Sequence, residues 1–535
     1  MTNVADVIAR RLYRAGCRYA FGIPGGEVLT LIKALSDAGI RFVLAKHENA
    51  AGFMAEGTYH STGAPAVLIA TLGPGVANAA NVIANAQQDR VPLLFITGCV
   101  DPDDSHSYTH QIFDHKALMG AVTKATFTVS AGAAGTVIDK ALAIAQDDPP
   151  GPVHIDVPIG IAATTYSGTA MSGRVRAAPS APAPSPELEQ ARRLVSNATR
   201  PVMIAGLEIL YQQSTQMVAD VVRRFNIPLI TTYKAKGVIP EDDPLSLGAA
   251  GLSPKADEIL LPLVRQSDLV ILVGYDPIEM RIGWRDPWGD DATVIELCAT
   301  PNIHYMHQAR ISFIGHIGAG LETLFHDIAP RTTWPGKTLE QARQSLRRMF
   351  PTDENWGPAA VVDAARECLS PEAVVTADSG AHRILLSQIW ACYQPRTLLQ
   401  STGLCTMGCA VPLALGFKLA EPSRPVAAFV GDAGMEMVLG ELATARDLRI
   451  PVIIVVFVDE SLALIELKQR ALGHENVGVD FGATDFPKVA NALGGFGTLA
   501  STRADLKQAI AAALARDTFT LIACPIGKKA YDGRF

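Results

Sequence analysis

The chain has 535 residues, 48% of them hydrophobic, more than one core comfortably organises, which predicts about three domains of ordinary size. Its 46 basic and 53 acidic residues give a formal net charge of −7, and no Lys/Arg-rich block offers an electrostatic footprint for nucleic acid. No run reaches the roughly 18 apolar residues that cross a bilayer, and no export-type leader is visible, so a soluble cytoplasmic protein without membrane contact is expected.

The start, MTNVADVIARRLYRAG, reads as an amphipathic helix with charges between its apolar positions. Phe21-Gly22-Ile23-Pro24-Gly25-Gly26-Glu27 is a tight Gly-Pro turn after a strand. The apolar strand RFVLA then leads into Lys46-His47-Glu48-Asn49-Ala50-Ala51, which opens a helix and leaves Glu48 at a strand end. Taken alone, a Glu in a first helical turn stabilises the helix dipole. Strand APAVLIAT ends in Thr71-Leu72-Gly73-Pro74-Gly75-Val76-Ala77-Asn78; Arg90-Val91-Pro92 precedes strand VPLLFITG. A polar stretch, Thr109-His110-Gln111-Ile112-Phe113-Asp114, is followed by Val122-Thr123-Lys124.

Two linkers divide the chain into domains at 1–166, 187–330 and 357–535. The first, 167–186, is rich in Pro, Ala and Ser without hydrophobic periodicity; the second, 331–356, brackets one helix-like segment, LEQARQSLRRMF. Each domain alternates short Val/Ile-rich runs with longer amphipathic stretches, RPVMIAG and SDLVILVG in the centre, RPVAAFVG and IPVIIVVFV in the last. That pattern builds parallel sheets, so the fold class is α/β with three doubly wound parallel-sheet domains. In such sheets ligands sit beyond the carboxyl ends of the strands.

In the last domain, strand PVAAFV runs into Gly431-Asp432-Ala433-Gly434, a helix is expected near Glu436, and the next strand ends at Asp459. One crossover helix between them can bring both carboxylates to one locus, which suits Mg²⁺ and an anionic diphosphate at a helix N-terminus. Each Asp alone would be explained as a helix cap or a strand terminator. The eight cysteines lack paired CxxC spacing and read as buried free thiols; the nearest pair, Cys405 and Cys409, flanks a Gly-rich turn.

Taken together, the GxPGG turn, the His47-Glu48 step, the Gly73-Pro74-Gly75 turn and the Gly431–Asp459 unit resemble, in order, the motifs of thiamine diphosphate (ThDP) enzymes of the acetolactate synthase branch. The likeness covers essentially the whole chain and is looser in the middle. It implies a pyrimidine-binding, a central and a diphosphate-binding domain. It also implies that Glu48 bonds the cofactor's pyrimidine nitrogen and promotes the imine form that removes the thiazolium proton. Asp432, Asp459 and the backbone carbonyl of Ser461 would ligate Mg²⁺. Gly25, Gly26, Pro74, Asn78, Ser379, His382, Gly431, Ala433, Gly434, Ser461 and Leu462 would contact the cofactor. Thr402-Gly403-Leu404-Cys405-Thr406-Met407-Gly408 is similar to the GLGTMG-type segment, in which Cys405 would lie against the cofactor and Met407 would wedge between its rings. Gln111 and His110 are the substrate-side candidates, each equally explained as a polar loop residue. His382 is equally explained as a helix-start histidine.

Three departures stand out: Ala433 replaces the last Gly of GDG, Val458 the first Asn of the usual pair, and Ala381 the usual Gln. Val458-Asp459-Glu460 and Gly274-Tyr275-Asp276-Pro277-Ile278-Glu279 are similar to FAD-free catabolic acetolactate synthases. One Gly after PVMIA is too few to bring a diphosphate to the backbone, so no FAD is expected. The resemblance thus implies conversion of two pyruvates to 2-acetolactate and CO₂, by a homodimer or homotetramer with sites at subunit interfaces. A ThDP lyase acting on another 2-oxo acid, an aldehyde or a cyclic diketone, and a non-catalytic ThDP-fold binder, are the alternatives.

Overall fold

The computed structural model describes residues 2–168 and 178–535. Of the expected 167–186 linker, residues 169–177 lie outside the described residues; the helix Pro186–Asn197 begins where that linker ends. Among the described residues, no helix is long and apolar enough to cross a membrane.

Three six-stranded, wholly parallel sheets carry the fold. The first holds β1 (Tyr19–Ile23), β2 (Arg41–Leu44), β3 (Ala66–Ala70), β4 (Leu93–Cys99), β5 (Ala125–Thr128) and β6 (Pro152–Pro158) in the order β2-β1-β3-β4-β6-β5. The second holds β7 (Pro201–Ala205), β8 (Leu229–Thr232), β9 (Ser246–Ala250), β10 (Leu269–Val273), β11 (Thr293–Cys298) and β12 (Ile311–Ile314), ordered β12-β11-β10-β7-β8-β9. The third holds β13 (Val374–Ala377), β14 (Leu398–Gln400), β15 (Val426–Gly431), β16 (Ile453–Val458), β17 (Phe496–Leu499) and β18 (Thr520–Pro525), ordered β14-β13-β15-β16-β18-β17. The first and third sheets therefore share one strand permutation, and their helices occupy equivalent crossovers. The central strands β3, β7 and β10 are buried along their full length. That is why they read as unbroken apolar runs rather than alternating ones.

The helix Glu48–Thr62 follows β2, and its counterpart Ala410–Ala420 follows β14. Residues 50–59 and 410–419 are buried without interruption, the mark of helices apolar on every side. Their crossing is set by glycine. A Cβ on Gly416 would lie 1.9 Å from the Met54 carbonyl oxygen, and one on Gly57 would lie 2.3 Å from that of Leu413. This close packing fuses the cores of the first and third sheets into one cluster.

A polar seam joins all three sheets. Asp89 pairs with Lys234 of the second sheet at 2.9 Å and accepts from the backbone N–H groups of Thr402 (3.0 Å) and Gly403 (2.8 Å). Asn85, one turn earlier, donates to buried Glu56 and accepts from Ser401 at 2.6 Å. Burial pushes Glu56 up to about 8, with the charge of Asp89 adding to the rise and Lys234 opposing it.

Candidate active site

The expected residues gather at the carboxyl edges of the first and third sheets. At the end of β1, a Cβ on Gly25 would fall 2.1 Å from Thr71 Oγ1, so a larger residue would push the turn off β3. Gly26 faces open space. At the end of β2, the His47 ring caps the following helix by accepting from Asn49 N at 3.1 Å, and Glu48 is only 4% exposed. Its Oε2 accepts from the Asn78 side-chain amide at 3.0 Å. Pro74 is the first residue of the helix Pro74–Gln88 that carries Asn78. A buried carboxyl held by a neutral amide keeps one oxygen available to a ligand.

Sequence reasoning missed the device that holds this turn. His115 Nδ1 lies 2.8 Å from Asp156 Oδ1, and Gly73 N donates to His115 Nε2 at 3.1 Å. The tautomer follows from the partners: Nε2 accepts, so Nδ1 carries the proton. Thr97 donates to the same Asp156 oxygen at 2.7 Å and lies 2.8 Å from His154 Nε2. Burial alone would raise Asp156, but the His115 hydrogen bond, the charges of His154 and His115 and the Thr97 bond hold it below the usual carboxylate range. Burial also pushes His154 down to about 4. His115, His154 and Asp156 offer three metal-ligand atoms within 4.8 Å of one another, yet these atoms already hydrogen-bond within the cluster. The sequence signal for it was His154 and Asp156 on one face of an otherwise apolar strand.

The 102–114 stretch is exposed, including His110 and Gln111. Gln111 takes φ +58°, and its backbone carbonyl packs over Gly73, where a Cβ would approach it to 2.3 Å.

On the third sheet, Asp432 is 4% exposed; its Oδ2 accepts from Asp459 N at 3.0 Å and Glu460 N at 2.7 Å, and its Oδ1 from Ala433 N at 2.9 Å. The helix begins at Asp432 (Asp432–Glu436) and not near Glu436. Asp432 is its first residue, so the side chain that would have capped a later start instead spans the gap to the loop after β16. Ala433 lies inside this helix, where Ala is the best-tolerated residue, which accounts for the absence of Gly. Asp459 is 7% exposed, and burial, then the neighbouring Asp432 charge, push it up to about 7. Asp432 is raised as well, by burial first and by Glu436 last. Glu460 in the left-handed region (φ +54°) turns the chain sharply, and Ser461 bridges Asp480. Leu462, half-buried, follows it and donates its N–H to the Val479 carbonyl at 2.8 Å.

Asp378, at the end of β13, was also missed. It is fully buried, accepts from Gly408 N at 2.9 Å and Ser379 N at 2.6 Å, and is pushed by burial to about 7. It thereby ties the Met407 turn to the Ser379 turn. Met407 is half-buried; Thr406 before it donates to Asn81 at 2.9 Å. Cys405 takes φ +52°, the geometry that explains glycine at this place in the GLGTMG-type segment. It is exposed and accepts from Arg383 Nη2 at 3.2 Å, while Cys409 is buried. His382 stacks on Phe457 with centroids 5.4 Å apart, and burial pushes it down to about 3. Gly431 faces that ring, and a Cβ on Gly434 would reach Asp378 at 3.0 Å.

The fit to an anionic, cation-bridged ligand can be read from what is left unpaired. Among the described residues, Ser379 Oγ, His382 Nε2 and Ser461 Oγ are buried without a hydrogen-bond partner, which is costly for a polar group. Asp432 and Asp459 bring two buried carboxylates to one edge, where the charge of the first raises the second. Hydroxyls, an imidazole nitrogen and clustered carboxylates are donors of the kind that would fit a diphosphate and a divalent metal.

Residues 2–118, 188–324 and 378–524 match, respectively, the thiamine pyrophosphate enzyme N-terminal TPP binding domain, central domain and C-terminal TPP binding domain. The chain is 30% identical to the acetolactate synthase isozyme 1 large subunit of Escherichia coli (strain K12), over 88% of this chain and 84% of that one. It is 28% identical to the acetolactate synthase of Bacillus subtilis (strain 168), over 92% and 88%. With the catabolic acetolactate synthase of Raoultella terrigena it shares 26%, over 98% and 94%.

Proposed function

Since the chain belongs to the acetolactate synthase-like thiamine pyrophosphate enzymes and carries all three of their domains, we propose that it condenses two pyruvates to 2-acetolactate and CO₂, one proton being taken up. The observation that carries the reading is the pairing of buried Glu48 at one sheet edge with the opposed carboxylates Asp432 and Asp459 at the equivalent edge of the other. Likeness to acetolactate synthases along nearly the whole chain supports the substrate.

ThDP, when bound, supplies a carbon nucleophile and an electron sink for decarboxylation. Asp432, Asp459 and the Ser461 carbonyl hold Mg²⁺; Ser379 and Ser461 offer hydroxyls to the diphosphate, and the His382 ring lies beside them. Gly431 and Gly434 give the backbone its close approach. Glu48 holds and returns a proton at the pyrimidine nitrogen, with Asn78 fixing its second oxygen. Met407, half-buried, would offer the cofactor an apolar support, flanked by Cys405. Gln111 and His110, on the exposed loop, face the acceptor.

A second copy of the chain completes the site in this reading. Met437, Leu472 and Val477 near the metal edge and Ile112 and Phe113 beside Gln111 are exposed apolar side chains that a dimer would cover. FAD has no place in it. At the switch point between β7 and β10, a Cβ on Gly206 would lie 2.4 Å from the Gly274 carbonyl oxygen, and Glu208 accepts from Ala299 N at 2.8 Å. Both contacts support a reading without FAD there.

The test is incubation with ThDP, Mg²⁺ and a panel of 2-oxo acids, following CO₂ and carboligation products. Acetolactate from pyruvate is the expected product; silence with pyruvate and turnover of another donor would refute the substrate and keep the class.

A further inference from the structure

Residues 526–535 return to the metal edge. β18 pairs in register with β16, Pro525 opposite Val458, and Ile526 N donates to the Val458 carbonyl at 3.0 Å. The tail therefore leaves the sheet beside the strand that ends in Asp459. It is tied down on several sides. Lys528 pairs with Asp480 at 3.4 Å, the residue that bridges Ser461. Asp532 pairs with Arg470 at 2.5 Å, which also holds Glu466. Arg534 pairs with Glu354, and the Gly533 carbonyl accepts from Lys255.

Between these exposed ties, Tyr531 turns inward. It is 3% exposed and joins the apolar cluster that contains Ala381 and Leu385 and, half-buried, Ala463 and Leu464, the residues flanking the Ser379 and Ser461 turns. Among the described residues its hydroxyl has no hydrogen-bond partner. Burial first, then the charges of Asp459 and Asp432, hold that hydroxyl well above the ordinary phenol range, so it remains a donor. Neither carboxylate is in hydrogen-bond contact with it. A buried phenol donor without an acceptor among the described residues, in the cluster that borders the turns of unpartnered Ser379 and Ser461, calls for an acceptor.

We propose that the C-terminal tail is a strap that places the Tyr531 hydroxyl as a hydrogen-bond donor to the diphosphate and metal assembly held at Asp432 and Asp459. The acceptor is a terminal phosphate oxygen or a metal-bound water. This rests on the reading of that edge as the ThDP and Mg²⁺ site. The Arg470–Asp532 and Lys528–Asp480 pairs fasten the strap to the segment after Ser461.

The test is binding, with no turnover needed. Tyr531→Phe keeps the ring packing and removes an unpartnered hydroxyl, so without cofactor it should melt no lower than the parent chain. Its affinity for ThDP at saturating Mg²⁺, read by quenching of tryptophan fluorescence, should fall about tenfold, as expected for one lost hydrogen bond to a charged group. Thiamine without phosphate should bind parent and variant alike. A loss confined to ThDP, or a raised Mg²⁺ requirement, supports the strap. Equal affinity for ThDP in both proteins, or equal losses for thiamine and ThDP, overturns it. Asp459→Ala serves as the separate control. If it leaves ThDP affinity intact, the metal-site reading itself has failed; if it weakens binding while Tyr531→Phe does not, only the strap has failed.

Discussion

Asn78 donates its side-chain amide to Glu48 Oε2 at 3.0 Å, joining the helix that follows β3 to the helix that follows β2. The bond fixes one carboxyl oxygen and leaves the other for a proton shared with a ligand. In Glu48→Gln the amide oxygen can still accept from Asn78, so the fold and ThDP affinity should persist while proton exchange fails. The expected result is ThDP binding within a few-fold of the parent and C2–H exchange, measured by NMR, slower by roughly 10²–10⁴-fold. Unchanged exchange would mean that another acid activates the cofactor.

Asp459 faces Asp432 at a buried locus, and each carboxylate disfavours the other's charge. Replacing Asp459 by Asn keeps the volume and removes one charge, with opposite consequences for the empty and loaded protein. The metal-free variant should melt above the parent. The Mg²⁺ concentration that half-saturates ThDP binding should rise about tenfold or more, in keeping with the loss of a charged ligand. A variant that melts lower and binds Mg²⁺ normally would place the cation elsewhere.

Glu48, Asp432 and Asp459 were legible because each lies shortly after an apolar strand, and strand ends are where such sheets bind ligands. The short helix starts at Asp432, four residues before the expected start near Glu436, and Gly434 within it leaves room for Asp378, which an added Cβ would approach to 3.0 Å. The His115–Asp156 link was invisible for a different reason. It joins residues 41 apart in sequence, and only the pairing of β4 with β6 brings Thr97 alongside Asp156. The common strand order of the first and third sheets was likewise hidden, since equivalent strands such as RFVL, mostly exposed or half-buried, and LLQ, fully buried, differ in length and pattern.

Gly416 meets Met54 backbone where the two buried helices cross. A methyl group there would contact three backbone atoms within 2.7 Å, and backbone cannot rotate away as a side chain can. Gly416→Ala should therefore cost roughly 1–3 kcal/mol or more, by prising the first sheet from the third. Gly482, where an added methyl would meet nothing within 4 Å, provides the comparison: Gly482→Ala should stay within about 0.5 kcal/mol of the parent. Chemical denaturation reads both, and equal effects would show that the helix crossing is not the constraint.

His154 supplies a stability change with a defined direction in pH. Burial lowers its folded value from 6.5 to about 4. Between those values the unfolded chain takes up a proton that the folded one refuses, so this group's contribution is intact above about 6.5 and is lost as pH falls toward about 4. His154→Gln retains an amide donor for Thr97 and cannot titrate. Urea unfolding at pH 7.5, 6 and 5 should show the parent losing stability more steeply than the variant, by up to about 1.4 kcal/mol per pH unit for one proton. The two profiles should run parallel above pH 7 and diverge below it. Parallel profiles across the whole range would mean that His154 carries its charge in the fold, and its buried Nδ1, which has no hydrogen-bond partner, would then hold a proton with no acceptor to receive it.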